Sequence, residues 1–403
     1  MPDFPIRIRK LILKRFRSVP AETVDLSNPT FLVGKNGAGK INVVDAFAFL
    51  SECMALPLQA VFDKRGGISI VRHRSGSRSY PPNLGLGVEF RFSNGAPVNG
   101  HYAFEIKALP NYGFQVVHEQ CRVVLPRELV WFDRGESGFR SSMGGLVPAL
   151  DPQALALPVV GGTQEFAPVL KGLSQMRVYS IEPSEVREMQ EPDVGTNLKS
   201  DGSNVASVLQ VLARKYDGDL ERLCEILGTI VPGTTHVRPV KHGKKLSLEF
   251  TQEWGEDKKM KFEAFAMSDG TLRALGILAA VLQKPVPTLI AIEEPESTIH
   301  PEALGAVLDV IQMASSNTQV IATTHSPELL DAEWIAPENL RIVTWNEGVT
   351  RVRPLGMASV EALKNHLMGA GEQLRSNALR ADEQPLFLEG ELDQIQLFEP
   401  LGL

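Results

Sequence analysis

Eight consecutive residues, Gly34-Lys35-Asn36-Gly37-Ala38-Gly39-Lys40-Ile41, set three glycines and two lysines at a spacing suited to holding a phosphate chain. Glycines let several backbone N–H groups turn into one cavity, and a helix starting there adds positive potential. Lys40 is then placed to reach β- and γ-phosphates, as in a P-loop. The same pattern calls for Ser or Thr at its last position, where a hydroxyl ligates Mg²⁺. Ile41 offers no oxygen, so weakened metal-assisted chemistry is expected.

Two further segments carry chemistry. Thr288-Leu289-Ile290-Ala291-Ile292-Glu293-Glu294-Pro295-Glu296 is an apolar run ending in paired carboxylates, the form of a Walker B segment. Glu293 would hold Mg²⁺, usually through water, and Glu294 would orient or deprotonate a water attacking a γ-phosphate. About thirty residues later, Gln319-Val320-Ile321-Ala322-Thr323-Thr324-His325-Ser326-Pro327 ends a second apolar run in a histidine. A neutral imidazole there can hydrogen-bond the γ-phosphate and the attacking water. Each feature also has a plain structural reading: a connecting turn, a solvated strand end, a core histidine. Their joint occurrence favours chemistry with ATP and Mg²⁺.

These groups need a frame, and the chain supplies material for one. Its 403 residues are 43% hydrophobic, enough for a large core, and the formal charge of −7 opposes a surface that coats nucleic acid throughout. Cys53, Cys121 and Cys224 lie far apart without metal-ligand or disulfide spacing, which points to a reducing cytoplasm. No signal-peptide pattern opens the sequence, and the longest apolar run, Ala274 to Leu282, is too short to span a bilayer.

Ile6 to Phe16 alternates basic and apolar residues as a strand with one wet face, and Phe31-Leu32-Val33 reads as a buried strand leading into the glycine-rich loop. Val43, Val44, Phe47 and Leu50 then follow helical spacing. Alternating runs at Leu86 to Phe92, His101 to Ala108 and Phe114 to Leu125 predict an antiparallel meander, with one turn at Ser93-Asn94-Gly95. Proline and glycine from Pro148 to Gly172 predict a linker, and Ser203 to Leu212 and Asp219 to Ile230 predict helices. Short strands at Val237 to Pro239 and Leu246 to Phe250 flank a turn at Lys241-His242-Gly243-Lys244. After them, helices from Thr271 and Pro301 alternate with strands at Thr288 to Ile292 and Gln319 to Thr323, which implies a parallel sheet.

Ser268-Asp269-Gly270-Thr271-Leu272-Arg273 reads on its own as a helix start, with Ser268 or Asp269 as N-cap. It also resembles the signature motif of ABC ATPases in its RecF-like form. The order of P-loop, signature, Walker B and Thr-His-Ser-Pro agrees, as do Phe16-Arg17-Ser18, Asp201-Gly202-Ser203-Asn204 and the pair His300-Pro301. Over nearly its whole length the chain resembles the bacterial RecF/SMC-like ABC-class ATPases of the AAA type, including overcoming-lysogenization-defect ATPases. The resemblance implies an α/β ABC-ATPase head, a P-loop NTPase with a mixed or parallel sheet, an antiparallel β subdomain and a helical insertion. Its expected division is an ATPase lobe at 1–147, a linker and helical insertion at 148–235, and the second half of the head at 236–403.

It further implies that two heads pair head to tail, Ser268, Asp269 and Gly270 of one closing on the γ-phosphate held by the other. Glu389, Glu391 and Asp393, with little chain after them, read as a solvated tail rather than nuclease acids. The resemblance then implies a separate effector, such as a nuclease or toxin, in anti-phage defence or a toxin–antitoxin-like module. A RecF-like DNA-repair ATPase and a nucleotide-binding scaffold that hardly hydrolyses, because of Ile41, are the alternatives. DNA is a candidate partner through Arg65, Arg72, His73, Arg74 and Arg78, with Lys241, Lys244 and Lys245. No membrane partner is expected.

Overall fold

Alternation of apolar and charged side chains over β1 (Ile6–Phe16) buries Ile6, Ile8, Leu11 and Leu13 and leaves Arg7 and Arg9 in solvent. In the computed structural model, which describes residues 6–73, 83–92, 98–126, 128–216, 218–255, 258–382 and 395–400, β1 turns tightly into β2 (Val19–Asp25). Arg74, Arg78, the turn Ser93-Asn94-Gly95 and the acids Glu389, Glu391 and Asp393 lie outside the described residues.

The chain continues through β3 (Thr30–Val33), then β4 (Asn83–Phe92), β5 (Val98–Ala108), β6 (Phe114–Val124), β7 (Leu129–Gly135) and β8 (Gly138–Ser141). Next come β9 (Met176–Tyr179), β10 (Thr234–His242), β11 (Lys245–Trp254), β12 (Lys258–Glu263), β13 (Leu289–Glu293), β14 (Gln319–Thr324), β15 (Leu340–Asn346) and β16 (Val349–Arg353). They form three sheets. An antiparallel sheet runs β2-β1-β4-β5-β6-β7-β8, and a small one runs β10-β11-β12. The third, β16-β15-β3-β14-β13-β9, is parallel except for its edge strand β16.

The parallel sheet divides the interior. Along β13, Leu289 and Ala291 point into one core while Ile290 and Ile292 point into the other, as a period of two requires. A strand buried on both faces must be apolar throughout, hence the unbroken run ahead of the glutamates. Helix Lys40–Ala55 lies between this sheet and the antiparallel one, burying Phe47, Phe49 and Leu50. On the opposite face sit helices Val205–Lys215, Asp219–Ile230, Asp269–Leu282 and Pro301–Ser315.

The proline- and glycine-rich stretch expected as a linker behaves differently. Helices Leu157–Val160 and Ala167–Ser174 form within it, and Leu157, Val160, Phe166 and Val169 are buried in the first core. Proline sits at the first or second helical position in both, where its missing N–H costs nothing. The buried Glu119 ties this stretch down by accepting the Leu157 N–H at 2.8 Å, the Ala156 N–H and the Tyr102 hydroxyl at 2.9 Å. Burial raises its carboxyl above the usual range.

Candidate functional site

The ends of three neighbouring parallel strands bring the sequence-predicted groups together. β3 runs out at Val33 into the glycine-rich loop, where the Gly34 N–H donates to the Thr324 carbonyl at 3.2 Å, at the end of β14. The Ala38 N–H closes a turn onto the Lys35 carbonyl at 3.1 Å, leaving Lys35, Asn36 and Gly37 exposed at the rim. Gly39 has φ +94, and a Cβ there would come within 2.0 Å of Thr350 Oγ1, so only glycine fits. Thr350 on β16 donates to the Ala38 carbonyl at 3.1 Å and shares a 2.7 Å hydrogen bond with Ser18 Oγ. Ser18 in turn accepts from Asn42 Nδ2 at 2.6 Å, so the hairpins β1–β2 and β15–β16 brace the loop from behind. Thr350 was not singled out by the sequence analysis.

Helix Lys40–Ala55 starts without a side-chain cap and without an acid in its first turn. Its free N–H groups and dipole therefore suit a bound anion. Lys40 is 4% exposed; its Nζ donates to the Gly34 carbonyl at 2.7 Å and the Lys35 carbonyl at 3.2 Å, and lies 3.8 Å from Glu294 Oε1. Burial lowers the Lys40 pKa, and Glu294 and Glu296 pull it back up.

Glu294 follows β13 in a left-handed backbone conformation, φ +41, with its N–H donating to Thr323 Oγ1 on β14 at 3.1 Å. A non-glycine residue held so stores of order 1–3 kcal/mol, sustained only when its neighbours fix it. Its Oε1 also lies 3.3 Å from His325 Nδ1, and Glu296 Oε1 is 3.7 Å from the same nitrogen. Glu296 accepts from Thr324 Oγ1 at 2.6 Å and from the His325 N–H at 3.2 Å, while its other carboxylate oxygen is buried without a partner among the described residues. Lys40, Glu294, Glu296 and His325 thus form one polar cluster at the carboxyl end of the sheet, where open α/β sheets hold ligands.

Glu293 is set apart and half-buried, with the Ser180 side chain beside it just beyond β9. Burial raises its pKa, and the charges of Asp45 and Glu294 add to the rise. A carboxylate whose charged form is disfavoured in this way gains from a nearby cation. Among the described residues no group of three His, Cys, Asp or Glu converges to cage a metal, so an ion there would rest on phosphate oxygens, water and Glu293. The Ile41 side chain is 58% exposed beside the loop and adds no ligand.

Ser268, Asp269 and Gly270 stand elsewhere. Ser268 is the N-cap of helix Asp269–Leu282, accepting the Thr271 N–H at 3.3 Å, and Asp269 pairs with Arg187. Gly270 lies against the Thr298 carbonyl. Among the described residues, none of the hydrogen bonds or ion pairs of Ser268 and Asp269 reaches the glycine-rich loop. Arg273 connects the two regions: its guanidinium donates at 3.0 Å each to the carbonyls of Ile181, Glu293 and Glu294.

Of the basic stretch expected to meet DNA, the described residues Arg65 and His73 are turned inward. Arg65 pairs with Asp45 and Glu52 and lies 5.3 Å over the Phe49 ring, because an arginine stem packs well beneath its own ion pairs. His73 is buried, its Nδ1 2.8 Å from the Arg17 carbonyl. Lys241 and Lys244 are exposed at the β10–β11 turn, and exposed Lys245 lies 3.7 Å from Glu191.

Comparison with known proteins places this geometry in context. The family model described as "AAA domain, putative AbiEii toxin, Type IV TA system" matches residues 166–331, which include both glutamates and His325. The Old nuclease of Escherichia phage P2 is 22% identical over 420 aligned positions, covering 98% of this chain and 69% of that protein. An SMC head solved with the C-winged helix domain of ScpA is similar with a TM-score of 0.55 at 17% identity, over 87% of this chain and 98% of that one. The SMC head of Pyrococcus furiosus, with an extended coiled coil and bound to the C-terminal domain of ScpA, gives 0.56 at 15% identity, over 90% and 99%.

Proposed function

We propose that this chain, an ABC-like AAA ATPase of the RecF/SMC type with the α/β fold of an SMC head, binds ATP on the loop Gly34–Ile41 and hydrolyses it slowly between two copies paired head to tail. The observation that carries this reading is the convergence of Lys40, Glu294 and His325 at one end of the parallel sheet, while Ser268 sits exposed at a helix start away from them. Because the hydrogen bonds of Ser268 among the described residues are local to its helix start, its hydroxyl and the helix amides are assigned to the site of a second copy.

In this reading the loop amides and Lys40 hold the β- and γ-phosphates, and Glu294 takes a proton from the attacking water. His325 orients that water and registers the γ-phosphate. Mg²⁺, when bound with the nucleotide, neutralises phosphate charge, and Glu293 is the residue that would hold it through water. Arg273 is a positioning residue that fixes the carbonyls around Glu294. Arg273→Ala is expected to lower kcat about tenfold, the equivalent of roughly 1.4 kcal/mol, with nucleotide affinity unchanged. Steady-state turnover beside equilibrium ATP binding checks this; a loss confined to affinity would place Arg273 outside the catalytic frame.

The face around Ser268 suits a second head. Phe265, three residues earlier, is 71% exposed and would be covered by such a contact. ATP is therefore expected to shift the chain from monomer to dimer in analytical sedimentation, and Ser268→Arg to abolish that shift and lower turnover at least fivefold. The same assembly state with and without ATP, together with an unaffected Ser268→Arg variant, would remove the trans site.

The head acts as an ATP-gated sensor or scaffold for a separate effector such as a nuclease or toxin, in anti-phage defence. The likeness to a family described by a toxin–antitoxin system and to a phage nuclease supports this role. No helix among the described residues is long and apolar enough to cross a membrane, in keeping with a proposed cytoplasmic site of action. A second reading, a nucleotide-binding scaffold with little hydrolysis, is favoured by the exposed hydrocarbon of Ile41 beside the phosphate loop. DNA contact, as in a repair ATPase, would fall to Lys241 and Lys244 rather than to Arg65 or His73.

A further inference from the structure

Across β1, β4 and β5 the outer face of the antiparallel sheet is polar except at one point. Along β4, Leu86, Val88 and Phe90 turn into the core, so Gly85 and Gly87 turn outward. Gly87 pairs with Ile12 on β1 and Ala103 on β5, and these small or apolar residues floor a shallow depression. Polar side chains on β6 rim it, because Ala103, Glu105 and His101 pair with Gln120, His118 and Arg122.

Segment 395–400 lies across this depression without pairing as a strand. Leu397, 3% exposed, fills it; a Cβ on Gly85 would come within 2.5 Å of the leucine Cδ2, and one on Gly87 within 3.2 Å of Cδ1. The Phe398 ring stacks on His118 with centroids 3.7 Å apart. Gln120, itself 2% exposed, reads the backbone of Glu399 twice: its Nε2 donates to the Glu399 carbonyl and its Oε1 accepts the Glu399 N–H, both at 3.0 Å. Arg122 pairs with the Glu399 carboxylate.

An apolar socket, an aromatic stack, and a two-point backbone clamp with a charge partner, aimed in turn at Leu397, Phe398 and Glu399, are the parts of a short-peptide site. We propose that this sheet face is a peptide-recognition site for a Leu-Phe-Glu segment, occupied in cis by the chain's own residues 395–400 as a releasable latch. Release breaks no β-ladder, since the segment adds none, and depends on one buried side chain, one ring stack, one ion pair and a few hydrogen bonds. Attachment to the same chain keeps the segment bound by raising its local concentration. The latch also joins the molecule's two main sheets: Asp382, whose N–H donates to the Pro354 carbonyl at 2.9 Å just past β16, leaves from the nucleotide-binding sheet, and the segment ends on the other.

The test uses the full chain and a fluorescent synthetic peptide of residues 394–400. Leu397→Asp empties the socket, so this variant is expected to bind the peptide saturably, whereas wild type, whose own segment competes, binds it at least tenfold more weakly. Adding Arg122→Glu to Leu397→Asp should cost tenfold or more, and a peptide carrying Glu399→Arg should recover part of that loss. In wild type, the Glu399 amide should exchange with deuterium more slowly than it does in Leu397→Asp. No saturable binding to Leu397→Asp, or equal binding to both chains, overturns the recognition site. A concentration-dependent wild-type dimer that is lost in Leu397→Asp without nucleotide overturns occupation in cis.

Discussion

Glu294→Gln is expected to bind ATP as the unaltered chain does and to turn it over about 10²- to 10⁴-fold more slowly, the range that a positioned general base contributes. The amide keeps the shape of the side chain and loses the charge that accepts a proton. The surroundings leave little room for another residue to take over. Glu294 is held by its left-handed backbone, by the Thr323 hydroxyl and by the Arg273 guanidinium, and its carboxylate faces Lys40 at 3.8 Å and His325 at 3.3 Å. Glu296, the nearest alternative, is 6% exposed and already spends one oxygen on Thr324 and the His325 N–H. Because Ile41 is expected to slow the reference rate, the comparison is best made in an Ile41→Ser background by single-turnover kinetics with ATP binding measured separately. Equal rates in the two chains would take Glu294 out of the chemistry.

Much of this site could be read from the sequence because its parts lie beside strands buried on both faces. β3, β13 and β14 are continuous apolar runs, and the residues that follow them stand where a parallel sheet presents its ligand groups. The meander β4 to β6 was equally legible from its alternation. Other features left no local trace. β9, only Met176 to Tyr179, joins the parallel sheet through partners more than a hundred residues away, and four residues cannot establish a period. Thr350 braces the phosphate loop across 312 positions, and a lone threonine in a hairpin carries no signal of such a contact. Arg65 resembles any exposed arginine until folding brings Asp45 and Glu52 around it. The prolines and glycines of the Pro148 to Gly172 stretch resemble a linker in sequence, yet the apolar residues between them are taken up by the core.

Ile41→Ser is expected to raise Mg²⁺-dependent turnover roughly tenfold to a hundredfold while leaving ATP affinity nearly unchanged. The branched hydrocarbon stands where a P-loop carries its metal-ligating hydroxyl, in the first turn of helix Lys40–Ala55. Restoring a charge-assisted contact of that size is worth about 1–3 kcal/mol, which sets the range. The neighbouring hydroxyls among the described residues are already engaged: Ser18 is shared between Asn42 and Thr350, and Thr350 donates to the Ala38 carbonyl. Affinity should hold because in the proposed binding mode the loop amides and Lys40 supply the phosphate contacts, and none of them passes through position 41. Stability should hold too, since the side chain is 58% exposed and serine near a helix start is well tolerated. The check is a Mg²⁺ titration of turnover at saturating ATP, with Ile41→Val as the control that changes shape without adding oxygen. If serine and valine give the same rate as isoleucine, position 41 does not limit hydrolysis, and the slow step belongs to head pairing or product release instead.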